Sequence, residues 1–428
     1  MMGPSEHDLR SERGSKQGRE KGSKGGSVAD VENPPKKGKS QGSVSGQTYP
    51  SSSTKTPSTS VRKTSKTSET SSKRNTPSNT DSKRNSPYNS GFAKSVLEPR
   101  SINIFDTKQF PDTAYAHFGI ELPETRHVAA IDPTKKLPES SIWIDTSDTF
   151  VKRVTKRYTD MLSRKLCEAE FATYAKEKLL KRDDFADDEE TDVREWRAER
   201  WVELVAKPES KDTWAAPPII EGLESANLIS SSEYSFDVRP DCSYWLSLKA
   251  FRQEYRSYVH HLIHTIHKKF VSPYLTIDFK RDLDAEVVVK NQVAAASSLA
   301  LYNRFRLREQ RLELTQNTWT KEDLTMDIRH YGLTMQGSQY EVWCITPKLS
   351  NDKKWAGCEM KLIGYGHCDD RYDVREFINW INEIHYWGLT VHGPTCQNDA
   401  KYMLSKMCKG IRPSDIGVEG KGKEKEIA

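Results

Sequence analysis

Two short motifs at the ends of apolar runs contain two carboxylates and a lysine. Pro240-Asp241 comes just before the apolar run that begins at Cys242. Asp278-Phe279-Lys280 ends a run of strand-forming residues that begins at Tyr274. Carboxylate oxygens are ligands for hard cations such as Mg²⁺, and a bound cation stabilises the charge that develops on a phosphate during hydrolysis. The two motifs therefore predict metal-dependent hydrolysis of a phosphodiester.

The second motif places its two charged side chains on one side of a strand. Because side chains alternate along a β-strand, Asp278 and Lys280 point to the same face and Phe279 points to the other. A carboxylate and an ammonium group in an apolar strand are costly without partners. A functional site explains that cost, whereas an ordinary strand end with surface charges is the alternative interpretation.

Together the motifs resemble those of the PD-(D/E)xK nuclease superfamily, which includes restriction-enzyme-like and RecB-like nucleases. Pro240-Asp241 matches the first half, and Asp278-Phe279-Lys280 matches the second half with aspartate in place of the commoner glutamate. The resemblance covers about residues 150–345. The Ser/Thr-rich basic segment in front of it also resembles that of fungal proteins carrying such a domain.

The resemblance implies a role for each matching residue. Asp241, Asp278 and the backbone carbonyl of Phe279 are expected to hold Mg²⁺ or Mn²⁺. Lys280 is expected to orient or deprotonate the attacking water, which requires a lowered pKa. Gln292 lies early in the following helix, where RecB-like nucleases have a glutamine that helps position nucleic acid. Their tyrosine four residues later is absent, because that position is Ala296.

A third carboxylate is expected on the first helix of such a fold, and Glu170 is the candidate. Three other glutamates compete with it: Glu168, Glu195 and Glu199. Any one of these side chains also fits a solvated helix face.

Hydrophobic periodicity predicts a mixed α/β fold. Helices are expected over residues 150–180, 193–205, 251–270 and 286–312, and from a capping box at Asp373 onward. Strands are expected over residues 142–144, 234–238, 242–248, 274–280, 339–345 and 359–364. This order matches the α-β-β-β-α-β core of a restriction-endonuclease-like domain, with a mixed sheet and a helical insertion.

Three histidines provide a different candidate site. On the predicted helix over residues 251–270, His260, His264 and His267 share one face at spacings that suit zinc. The sequence has no HExxH motif, so a partly exposed helix face beside phosphate is the competing interpretation.

Composition divides the chain into four parts: a disordered basic tail (1–98), an irregular lead-in (99–147), the nuclease-like domain (148–415) and a charged loose tail (416–428). Residues 1–90 contain one leucine and no isoleucine, phenylalanine or tryptophan. Such a segment cannot bury enough apolar surface to offset its ordering entropy.

Charge is concentrated in the tail. Residues 1–100 have 19 Lys and Arg against 9 Asp and Glu, whereas the remaining residues have 47 against 52. We expect salt-sensitive attraction to nucleic acid, DNA rather than RNA, to come from the tail. The acidic balance of the rest, with the long gap between the motifs, favours an alternative: a catalytically silent fold that binds nucleic acid or protein.

The cellular setting is predicted to be intracellular and nuclear. The seven cysteines include no CxxC pair, and no apolar run has the length of a membrane span. A near repeat, with copies at 72–77 and 82–87, joins Lys-Arg to a Ser/Thr-Pro pair. It is typical of a nuclear import signal flanked by phosphorylation, although a solvated linker is the alternative.

Overall fold

The computed structural model describes residues 86–89, 91–108, 113–120, 141–183, 197–208, 213–222, 234–280, 286–320 and 323–416. Within these ranges the chain forms a mixed α/β fold, as the sequence predicts, around one eight-stranded sheet. The strands are β1 (Ile102–Phe105), β2 (Ala198–Val202), β3 (Cys242–Ser247), β4 (Thr265–Ile266), β5 (Phe270–Lys280), β6 (His330–Gln336), β7 (Gln339–Leu349) and β8 (Trp355–His367).

The strand order is β1-β8-β7-β6-β5-β3-β2, and β4 pairs with β5 beside this path. The pairs β1–β8 and β5–β6 are parallel, and the other pairs are antiparallel. The helices are α1 (Ala114–His117), α2 (Asp148–Ser163), α3 (Glu168–Lys178), α4 (Gln253–Val259), α5 (Glu286–Thr315), α6 (Arg371–Trp387), α7 (Gly393–Met407) and α8 (Pro413–Ile416).

Two hydrophobic cores lie on opposite faces of the sheet. One contains the buried side chains of α2, α3 and α6, and the other contains the apolar face of α5. Phe279 belongs to the first core, whereas Asp278 lines a cavity with Ala295 and Ala296 of α5, which belong to the second. The predicted alternation of Asp278 and Phe279 across β5 is therefore confirmed.

The predicted helix over residues 150–180 is two helices. Ser147 caps α2 by accepting a hydrogen bond from the backbone of Phe150. The chain leaves the helix after Ser163, and Lys165 has a positive φ of 51°. Helix α3 then begins at Glu168 with a new register, which changes the faces on which its glutamates lie.

The predicted helix over residues 251–270 is confirmed only over Gln253–Val259 and is wrong beyond it. Helix α4 ends at Val259, and the chain turns through His267 and Lys268, which both have positive φ, into β5. Strand β4 pairs with β5, and β-branched residues such as Thr265 and Ile266 suit that pairing. The long gap between the two motifs is therefore no obstacle, because β3 pairs directly with β5.

Four other local predictions are also wrong. In place of a helix over 193–205, residues 198–202 form β2, where cross-strand pairing with β3 overrides helical spacing. Residues 142–144 are irregular, although Ile142 and Ile144 are buried. Residues 234–238 alternate in burial but form a single bridge, between Val238 and Ala206. The N-cap of α6 is Asp370 rather than a box at Asp373.

The boundary of the tail also lies earlier than residue 98. Phe92, Val96 and Leu97 are buried in the core on the α5 side. The lead-in is not wholly irregular, because it contributes β1 to the sheet and contains α1. Residues 1–85, 193–196 and 417–428, with the predictions that fall on them, lie outside the described residues. Among the described helices, none is long and apolar enough to cross a membrane.

Candidate functional site

The register of β3 against β5 brings the two motif aspartates together. Cys242 pairs with Ile277, and the two strands are antiparallel. The residue before Cys242, Asp241, therefore lies opposite the residue after Ile277, Asp278. The backbone N–H of Phe279 donates a hydrogen bond to Asp241 Oδ2 at 2.8 Å. Opposed residues on antiparallel strands have Cβ atoms about 4.5–5.5 Å apart. This separation lets both carboxyl groups reach one cation.

Asp278 is a buried carboxyl group with an unsatisfied oxygen. The residue is 1% exposed, and its Oδ2 atom is buried without a hydrogen-bond partner. Burial raises the pKa of Asp278 well above its usual value, and the charge of Asp241 raises it further. Lys280 and the backbone N–H of Asp241 act in the opposite direction. An orphaned carboxylate oxygen in this setting fits a ligand for a hard cation.

Lys280 lies beside both aspartates, and its side chain is 12% exposed. Its Nζ atom is 3.9 Å from Asp241 Oδ2 and donates a hydrogen bond to the carbonyl of Phe279 at 2.6 Å. That carbonyl is the one expected to help hold a metal. A carbonyl oxygen has two lone pairs, so one remains for a second partner.

One cavity of about 810 Å³ contains the predicted site residues Asp241, Asp278, Lys280 and Gln292. Its described wall includes five carboxylates, which are Glu168, Glu203, Asp237, Asp241 and Asp278. It includes two basic side chains, Arg239 and Lys280, and Arg239 forms a salt bridge with Glu203. The cavity therefore has an excess of negative charge, which favours a cation over a bare phosphate.

The glutamate that reaches this cavity is Glu168. It is half-buried in the first turn of α3, and after burial and Asp241 its charge contributes to the raised pKa of Asp278. Glu170 is exposed and does not line the cavity. Two residues along a helix correspond to a rotation of about 200°, so both side chains cannot face one site. In the sequence, the apolar spacing breaks after Ser163. This break indicates that a new helix begins, and the start of that helix decides that Glu168 rather than Glu170 faces the cavity.

The other competing glutamates do not reach the cavity. Glu199 is buried in β2 and forms a salt bridge with Arg197 at 2.8 Å, while Glu195 lies outside the described residues. Burial raises the pKa of Glu199, and the charge of Arg197 lowers it. This pair is structural.

Gln292 has a partner that the sequence did not predict. Its Nε2 atom donates a hydrogen bond to the hydroxyl of Tyr88 at 3.4 Å, while its buried Oε1 atom has no partner. A tyrosine hydroxyl thus lies beside Gln292 although position 296 is alanine. The signal in the sequence for this contact is composition: Tyr49 and Tyr88 are the two Phe, Tyr or Trp residues that precede Phe92, so Tyr88 is one of few side chains there that could pack against the domain.

The histidine site is not formed. His264 stacks on Trp214, with ring centroids 4.9 Å apart, and His267 packs against Trp201 at 5.5 Å. His260 lies at the end of α4, so the three do not share a helix face. Within the described ranges, no group of three or more His, Cys, Asp and Glu side chains is placed to hold a metal ion.

The chain was compared with protein-family models, curated proteins and solved structures, and none of them matches it. The chemistry of the cavity therefore has to be inferred from the residues that line it.

Proposed function

We propose that this chain is a divalent-metal-dependent nuclease of the PD-(D/E)xK type. The observation that carries the proposal is the buried, unpartnered oxygen of Asp278 directly across the β3–β5 pair from Asp241. Lys280 lies on the same face of β5 and lines the same cavity. A carboxylate pair and an ammonium group at one strand end suit phosphodiester hydrolysis better than packing.

The arrangement of elements supports the finer assignment to a restriction-endonuclease-like fold. The elements α3, β2, β3, β5, α5 and β6 follow one another in the order α-β-β-β-α-β. Helix α4 and strand β4 form the insertion between β3 and β5. The four strands of this core are adjacent in the sheet, in the order β6-β5-β3-β2.

The residues present fit a hard cation, which we propose to be Mg²⁺ or Mn²⁺. Asp241 and Asp278 would hold it, and Glu168 is the nearest further carboxylate on the cavity wall. When bound, the cation supplies charge stabilisation to the phosphate and lowers the pKa of a bound water. The backbone N–H of Phe279 keeps Asp241 oriented toward the cavity.

Lys280 and Gln292 supply the remaining polar groups of the proposed site. Lys280 Nζ is a positive charge within reach of a phosphate oxygen, where it stabilises the charge that builds during attack. Gln292 presents an amide whose Oε1 atom is unpartnered, so it has hydrogen-bonding capacity for substrate. The tail, with its net charge of +10 over residues 1–100, supports nucleic acid as the partner and a nuclear location.

The second candidate function is a catalytically silent binding module for nucleic acid or protein. Two observations favour it: the cavity has more carboxylates than basic groups, and Lys280 already bonds the carbonyl of Phe279. In this case the tail provides affinity for nucleic acid, and the acidic cavity does not contact phosphate.

The deciding experiment measures cleavage of plasmid and single-stranded DNA and RNA with Mg²⁺, Mn²⁺ or chelator. We expect metal-dependent cleavage that falls by about 100-fold or more in Asp278→Asn and Lys280→Ala. Asp237→Asn is the matched control, because Asp237 lines the same cavity but is exposed. Cleavage that persists in both site variants overturns the nuclease proposal. Binding without cleavage, equal in wild type and Asp278→Asn, establishes the binding module.

A further inference from the structure

The wall of the candidate site includes a segment from the basic, Ser/Thr-rich part of the chain. We call residues 86–89 the entrance strap, because Ser86, Pro87 and Tyr88 line the cavity that contains Asp278. The segment that follows is anchored in the core. The ring of Phe92, which is fully buried, meets the ring of Tyr234 edge-on at 5.0 Å.

Two hydrogen bonds join the strap to the start of α5. Asn291 Nδ2 donates to the carbonyl of Pro87 at 3.3 Å, and Gln292 Nε2 donates to the hydroxyl of Tyr88 at 3.4 Å. The strap thus occupies the Nε2 donor of the Gln292 amide and leaves its Oε1 atom unpartnered. A phosphate oxygen can only accept a hydrogen bond, so a nucleic acid whose phosphate uses Gln292 Nε2 has to displace Tyr88. The strap therefore competes with substrate.

The strap begins at a serine followed by proline. Ser86 is half-buried, and its Oγ atom accepts a hydrogen bond from the backbone N–H of Tyr88 at 3.4 Å, which closes a tight turn. This serine belongs to the second copy of the repeat, after Lys83-Arg84. A Ser-Pro pair is the kind of site that a proline-directed kinase modifies, and two hydrogen bonds are a small barrier to its transient exposure.

A phosphate at Ser86 would meet the acidic excess of the cavity. Phosphoserine has a charge of about −1.5 to −2 at neutral pH. Of the two basic groups on the wall, Arg239 is paired with Glu203 and Lys280 lies beside Asp241. Glu168 and Asp237 add two further carboxylates to the same wall. Like charges at this range repel, so the unmodified strap fits the cavity and the phosphorylated strap does not.

We propose that Ser86 is a phosphorylation site and that its phosphate expels the entrance strap, which opens the candidate site to substrate. The phosphoryl donor is ATP bound to a proline-directed serine/threonine kinase. The Ser86 oxygen forms a bond to the γ-phosphorus as the bond to the β–γ bridging oxygen breaks. The serine proton passes to a base of the kinase, and ADP leaves. This inference builds on the proposed nuclease function.

The test treats the full chain with such a kinase and ATP, and mass spectrometry locates the phosphate. Ser86→Ala is the matched variant, because it leaves the other Ser/Thr-Pro pairs of the basic segment, Thr56-Pro57 and Thr76-Pro77, intact. Chymotryptic cleavage after Tyr88 then reports release of the strap without any need for catalysis. Loss of the two hydrogen bonds to α5 predicts cleavage about tenfold faster in the phosphorylated protein. In Ser86→Ala the kinase should change nothing.

Metal-dependent cleavage of a short single-stranded oligonucleotide is the second readout. We expect phosphorylation to increase it by a similar factor in wild type and to have no effect in Ser86→Ala. If no form cleaves nucleic acid but the strap is still released, the proposed function fails and the switch stands. Unchanged or slower proteolysis after phosphorylation overturns the switch. The phosphate at Ser86 would then remain in the cavity, as it would if it bound the cation proposed for Asp241 and Asp278.

Discussion

Replacement of Asp278 by asparagine should stabilise the metal-free protein, although it should abolish the proposed nuclease activity. The carboxyl group is 1% exposed, and its Oδ2 atom has no hydrogen-bond partner. Burial raises its pKa most, followed by the charge of Asp241. Asparagine has nearly the same shape without the charge, and its amide can donate to the Asp241 carboxylate. The substitution therefore removes an unfavourable group from the apo fold.

The size of the effect follows from the cost of an unsatisfied buried polar group, about 1–3 kcal/mol. In a domain of more than 150 residues, 1 kcal/mol corresponds to about 2–4 °C in melting temperature. We therefore expect the melting temperature of Asp278→Asn to be about 2–12 °C above wild type in chelator at pH 7. Asp237→Asn, which changes an exposed carboxylate of the same cavity, should leave it unchanged.

The pH dependence of this difference has a definite sign. The pKa of Asp278 in the folded state is raised above its unfolded value of 3.8, so the folded state retains a proton that the unfolded state releases. The stability of wild type relative to Asp278→Asn is therefore highest near and below pH 3.8 and falls as the pH rises through the folded pKa.

Divalent cation should reverse the order of the two proteins. Mg²⁺ at about 100 times its dissociation constant adds about 2.7 kcal/mol to the stability of a protein that binds it at one site. Wild type should gain this stabilisation and Asp278→Asn should not. Differential scanning fluorimetry in chelator and in Mg²⁺, at several pH values, measures all of these shifts. A lower or unchanged melting temperature of Asp278→Asn in chelator refutes the reasoning, because Asp278 would then be a satisfied structural group.

Three further outcomes are expected. Asp399→Asn should lower the free energy of unfolding by about 3–5 kcal/mol, measured by urea titration against Asp369→Asn. Asp399 is fully buried, and its loss as a charge takes the carboxylate partner from Arg304 and Arg311 and one of three such partners from Arg308. Burial lowers the pKa of His330 and His385 from 6.5 to about 3. The free energy of unfolding should therefore fall as the pH drops from 6.5 toward 3, by about 2 kcal/mol per histidine at pH 5. A melting temperature that is the same at pH 7 and pH 5 contradicts this. Deletion of residues 1–85 should flatten the salt dependence of nucleic-acid binding and leave the melting temperature unchanged. Deletion of residues 1–98 should lower the free energy of unfolding by about 3–5 kcal/mol or more, through loss of the buried Phe92 side chain alone. Equal melting temperatures of the two deletion variants would show that Phe92 does not stabilise the fold.

Much of the candidate site could be predicted from sequence, because its residues follow local rules. Alternation along β5 places Asp278 and Lys280 on one face whatever the strand pairs with, and this face is the one that the structure shows. The long Ala-rich run likewise predicts α5, and the inward residues of α6 are buried as predicted, namely Phe377, Trp380, Ile381, Ile384 and Trp387. Such features depend on neighbours within a few residues.

Tertiary structure decided the features that depend on distant partners. Residues 251–270 have the apolar spacing of a helix, but pairing of β4 and β3 with β5 satisfies their backbone groups better over part of that stretch. The choice of Glu168 over Glu170 depends on where α3 starts. The contact of Tyr88 with Gln292 joins positions 204 residues apart, and no local pattern encodes it. The sequence by itself specified Asp241, Asp278 and Lys280 as candidates for the proposed chemistry, and the pairing of β3 with β5 decided that Asp241 and Asp278 meet.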